Sequence, residues 1–69
     1  MATTQDALKA LIDLLHNGKN IADRGGAATG LGYIGGEEAR AELIAALGKS
    51  RTSEERGIIA TALGQATQR

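Results

Sequence analysis

Displacing the sequence against itself by 32 residues aligns 37 positions without a gap, ten of them identical. The matches include Leu11/Leu43, Ile12/Ile44, Leu15/Leu47, Arg24/Arg56, Gly25/Gly57, Thr29/Thr61, Leu31/Leu63 and Gly32/Gly64. A gapless repeat of this period restricts the chain to a stack of like supersecondary units, each burying a face on the next. The identities recur at helical spacing. Leu8, Leu11, Ile12 and Leu15 follow the i, i+3, i+4, i+7 pattern of an amphipathic helix, widened by Ala7 and Leu14. Proline is absent and Tyr33 is the sole aromatic residue, which argues against strands.

The start and stop signals repeat with the cores. Thr3 and Asp6 have the spacing of a capping box, Asn20 with Asp23 marks a second helix start, and Thr52 with Glu55 a fourth. Asn17-Gly18, Gly35-Gly36 and Gly48-Lys49-Ser50 supply the breaks, and Glu37-Glu38 suits a first turn. These signals predict helices over 4–16, 20–34, 37–48 and 52–66. The fold class is all-α, two stacked antiparallel hairpins in one domain of repeats at about 4–35 and 36–67. Leu11, Leu31, Leu43 and Leu63 are the predicted core, with Ala39, Ile44, Ala46 and Leu47 completing the apolar face of the third helix.

The segment Ala27 to Leu47, AATGLGYIGGEEARAELIAAL, resembles a short HEAT-like repeat of the kind first described in phycobilin lyases. The resemblance rests on Arg24, Leu31, Gly32, Ile34, Gly35, Glu37, Glu38, Ala39, Leu43, Ala46 and Leu47. Arg56, Ala62, Leu63 and Gly64 continue it in the second unit, and Ala7, Leu11 and Leu15 in the first. Asp23 and Glu55 stand where such repeats usually carry an apolar residue, and Gly30 replaces an alanine. The resemblance implies a solenoid whose second helices line the inner face. It also implies that the arginine at 24 or 56 pairs with an acid of an adjoining turn.

The formal net charge is zero, so no broad field draws the chain to a polyanion. There is no cysteine and a single histidine, His16, which leaves no metal-ligand set. No apolar run approaches the roughly 18 residues of a membrane span. The expected setting is the cytoplasm, without a cofactor. Gly30-Leu31-Gly32-Tyr33-Ile34-Gly35 is a literal GxGxxG, but the pyrophosphate loop needs a preceding strand, and ADRGGAAT reads as helix. Carboxylates sit at helix starts and serine only at Ser50 and Ser53, so no nucleophile–base pair emerges.

Helix two carries Gly25, Gly26, Gly30 and Gly32 in its interior. Each costs about 1 kcal/mol relative to alanine, and the compensation expected is close approach of another backbone or a large side chain. Position 26 aligns with Ile58, which offers an internal filler; an external partner is the alternative. Lys49, Arg51 and Arg56 form a small basic cluster diluted by Glu54 and Glu55. The reading that follows is a small non-catalytic protein-binding module, an adaptor or inhibitor, which self-associates as a homodimer or docks on another protein. Its predicted surface is Gly25, Thr29 and Tyr33 with the matching Gly57, Thr61 and Gln65. An accessory subunit or fragment of a HEAT-like lyase or chaperone is the alternative, and a nucleic-acid binder ranks below both.

Overall fold

The computed structural model describes residues 1–69 as four helices of 14 residues each. They are α1 (Thr4–Asn17), α2 (Ile21–Ile34), α3 (Gly36–Lys49) and α4 (Ser53–Ala66). Every helix falls within a residue or so of its predicted bounds. The caps account for this. The Thr3 hydroxyl accepts from Asp6 N–H at 3.1 Å while the Asp6 carboxylate accepts from Thr3 N–H at 2.9 Å, a complete capping box. Asn20 caps α2 by accepting from Asp23 N–H at 2.8 Å.

At α4 only half of the expected box forms. Thr52 Oγ1 accepts from Glu55 N–H at 3.1 Å, but the Glu55 carboxylate does not return to the cap. It is committed to Arg24 across the hairpin interface. A charge-assisted, two-pronged contact outcompetes a single bond to a solvent-accessible N–H.

Helices α1 and α3 form one layer, α2 and α4 the other, and α2 touches all three of its neighbours whereas α1 does not reach α4. The closest association is between α2 and α4. The core contains Leu8, Leu15, Leu31, Leu43 and Ile59 together with six alanines: 27, 28, 39, 46, 62 and 66. Alanine-rich interfaces bring helix axes close but bury little area per residue, so such a core has little reserve.

Leu31 and Leu43 are buried as expected, but Leu11 and Leu63 are only partly covered. Leu63 lies on α4, which packs against α2 and α3 alone. Ile44 departs further from expectation and is 60% exposed. It is adjacent to Leu43, so the roughly 100° step per residue turns it away from the stripe that Ala39, Leu43 and Ala46 bury.

The turn from α2 to α3 is a single residue wide. Gly35 has φ +69° and Gly36 φ +89°, a region that other residues rarely enter, so the two glycines make this tight reversal possible.

Candidate functional site

Two surfaces carry chemistry or shape beyond what the core requires. The first is the inner face, where α2 and α4 run side by side. Thr29, Tyr33, Gly57, Thr61 and Gln65 line one groove there, together with Ile58 and Ala62 at its floor. Five of the six residues expected to form a surface therefore share one concave strip. The sixth does not lie on it. Gly25 is buried in the helix–helix contact, where an added methyl would meet Ile58 Cδ1 at 3.3 Å. A shallower depression bordered by Gly25, Gly26 and Ile21 adjoins the groove through Thr29, Glu54 and Ile58.

Local helix chemistry sets the character of the groove. The Thr29 hydroxyl donates to Gly25 C=O and the Thr61 hydroxyl to Gly57 C=O, each at 3.0 Å. With the hydroxyls turned back onto the i−4 carbonyls, the two threonines have no donor left to satisfy in the groove. Tyr33 is 61% exposed, with the Arg69 guanidinium 5.8 Å from its ring centroid. The strip thus combines glycine, methyl-bearing threonine and one aromatic ring, flanked by Ser53, Glu54 and Gln65.

The second surface lies at the end of the stack where the α1–α2 and α3–α4 turns meet. Arg24 donates from Nε to Glu55 Oε2 at 3.0 Å and from Nη2 to Oε1 at 2.9 Å. Its Nη1 donates to Gly18 C=O at 2.9 Å. One guanidinium thereby ties both hairpins and the first turn. The hydrogen bond to Arg24 is the main reason the Glu55 carboxyl is held below its ordinary value, helped by the charges of Arg24 and Arg51 against an opposing desolvation. The same hydrogen bond raises Arg24.

A depression beside this pair is lined by His16, Lys19, Lys49 and Arg51. Lys49 and Arg51 were expected to cluster with Arg56; instead they meet Lys19 and His16, and Arg56 lies elsewhere on α4, exposed. His16 is held at both ring nitrogens, with Nε2 2.6 Å from Glu42 Oε1 and Nδ1 2.9 Å from Lys49 Nζ. A charged lysine only donates, so Nδ1 accepts and Nε2–H donates to Glu42. That link between α1 and α3 escaped the sequence reading. Glu42 aligns with Ala10 and His16 with Gly48, so the repeat gives no hint of it.

No group of three or more His, Cys, Asp or Glu side chains is placed to hold a metal ion, and no helix is long and apolar enough to cross a membrane. The GxGxxG lies within α2 and its glycine cap, with no strand before it.

Comparison with known proteins gives one match. Residues 23–49, which run from the first turn of α2 through the double-glycine turn to the end of α3, match the PBS lyase HEAT-like repeat family. No curated protein and no solved structure matches the sequence. The matched span straddles the two hairpins, so the family's unit takes the second helix of one and the first helix of the next. Arg24, Leu31-Gly32, Gly35-Gly36 and Glu37-Glu38, on which the resemblance rests, all lie within the segment that matches a HEAT-like repeat.

Proposed function

We propose that the chain is a non-catalytic protein-binding module, one domain of two HEAT-like repeats at about 4–35 and 36–67. Its working surface is the groove between α2 and α4. The observation that supports this reading is the gathering of Thr29, Tyr33, Gly57, Thr61 and Gln65 along one strip with an exposed tyrosine at its edge. Tyrosine buries a large area at small entropic cost and is enriched where interfaces draw most of their energy. The flanking glycine and threonines present little side-chain freedom to lose on docking. A protein helix or a flat protein surface is the occupant that suits such a strip, in the cytoplasm and without a cofactor.

Thr29→Arg and Thr61→Arg test this directly. Each puts a long cation into the groove from an exposed position and leaves the core untouched. Both variants are expected to keep the wild-type helical spectrum and to lose the proteins captured from native lysate, with light scattering showing whether a second copy is among them. Unaltered capture and unaltered mass for both variants would refute the groove as the working surface.

A further inference from the structure

The contact between the two hairpins is itself a template. On α2 it is built from Arg24, Gly25 and Gly32, with buried Ala28 between the two glycines at helical spacing. Arg24 grips Glu55, Ile58 fills the notch at Gly25, and Gly32 lies so close to α4 that an added methyl would be 2.9 Å from Ala62 C=O. Thirty-two residues on, α4 carries the same set in Arg56, Gly57, Ala60 and Gly64. All four are exposed there, where their counterparts are buried or half-buried. Arg56 makes no ion pair, and neither Gly57 nor Gly64 has an atom within 4 Å of the space an added methyl would take. The face of α4 therefore repeats a socket whose α2 copy is occupied.

What occupies the α2 copy defines the chemistry that fits. Helix α4 offers Glu55, then Ile58 three residues on, then Ala62 four further. A folded second copy does not offer that set, because its own Glu55, Ile58 and Ala62 are already engaged with its α2 and the equivalent positions on α2 differ. Asp23 would keep the charge, but Gly26 stands where Ile58 does and leaves the notch empty, and Leu11 already covers Gly30, the equivalent of Ala62.

We propose that this face of α4 docks a helical hairpin of a separate protein. The docking helix carries an acid, a bulky aliphatic residue three positions later and an alanine four beyond that. Arg56 takes the acid, Gly57 receives the aliphatic side chain and Gly64 lets the alanine backbone approach. This surface shares Gly57 with the groove, whereas Arg56, Ala60 and Gly64 do not line it.

A surrogate partner tests the assignment. The sequence of residues 36–69 is joined to the C-terminus of the full chain by a flexible Gly/Ser linker of about ten residues, which supplies the hairpin at high effective concentration. The expected result is a Tm at least about 4 °C above that of the 69-residue chain, with slower amide exchange at Ala60 and Gly64. Arg56→Glu should abolish the gain, and reversing the tethered hairpin's matching glutamate to arginine should restore it. In the untethered chain Arg56→Glu should leave Tm unchanged. Thr29→Arg, which blocks the groove, should leave the gain intact, so the two surfaces fail separately. An unchanged Tm on tethering, or a gain that survives Arg56→Glu, overturns the proposal. So does sedimentation showing that the untethered chain self-associates through Arg56, for the occupant is then a second copy.

Discussion

Helices α2 and α4 descend from the same pattern, yet α2 has four interior glycines and α4 has two. The contrast separates two meanings of glycine in a helix. At Gly32 the neighbour is α4 backbone, and at Gly25 and Gly30 it is the side chain of Ile58 or Leu11. At Gly26, Gly57 and Gly64 there is no neighbour at all. The intrinsic cost is the same everywhere, but only where something fills the space does packing offset it. Position in the stack, more than residue type, decides what each glycine does.

The largest effect should come from comparing equivalent leucines. Leu31 is wholly buried between the layers, and Leu31→Ala should destabilise by about 2–5 kcal/mol. Leu63 holds the same place in α4 but is only partly covered, so Leu63→Ala should cost clearly less. Denaturant titration of both variants measures the gap. Equal losses would mean that α4 is covered in solution, which breaks the contrast between an inner and a terminal helix.

Next come the close-approach glycines. Gly32→Ala gains helix propensity but drives a methyl to 2.9 Å from Ala62 C=O, which forces the two helices apart. Overpacking of this kind costs about 1–3 kcal/mol. Gly64→Ala meets open space and should instead stabilise by somewhat less than 1 kcal/mol. Thermal melts should therefore move in opposite directions for one substitution at two equivalent sites.

The paired arginines sharpen the same comparison through pH. Arg24 holds the Glu55 carboxyl below its ordinary value, whereas Arg56 has no acid to hold. A carboxylate depressed on folding stabilises fully above its unfolded pKa of about 4.3, and that contribution is lost as pH falls through the folded value. The wild type should thus lose Tm on acidification below about pH 4.5 more steeply than Glu55→Gln. Arg56→Gln should leave the acid limb of the wild type unchanged. Parallel acid limbs for wild type and Glu55→Gln would show that the pair contributes nothing in solution.

The sequence announced the four helices because caps, breaks and apolar stripes all repeat locally, and each acts within a few residues. What it left open were choices made between hairpins. Thr52-x-x-Glu55 reads as a complete capping box, but Glu55 turns to Arg24, a residue 31 positions away. Ile58 was a candidate to fill the space at Gly26, because those positions align; it fills the notch at Gly25 instead. Alignment relates residues by translation, whereas contact joins the leading side of one unit to the trailing side of the next. The same distinction explains the surface residues. Thr29, Tyr33, Thr61 and Gln65 share the groove because α2 and α4 lie side by side, while Gly25 lies between the helices.

The smallest effects lie within α2 itself, at two adjacent glycines. Gly26 faces open space, so Gly26→Ala relieves the helix of its intrinsic penalty and should stabilise by about 0.5–1 kcal/mol. One residue earlier, a methyl at Gly25 would meet Ile58 Cδ1 at 3.3 Å and Cγ2 at 3.4 Å. Those atoms end a side chain able to yield by a few tenths of an ångström, so the packing strain offsets the gain in propensity. Gly25→Ala should therefore leave Tm within about 3 °C of wild type, the shift of a few tenths of a kcal/mol in a domain this size. Calorimetry on the two variants isolates the neighbour's contribution, because the substitution, the helix and the removed penalty are common to both. Equal stabilisation would place Ile58 away from Gly25, and the socket on α2 would then lack its filler.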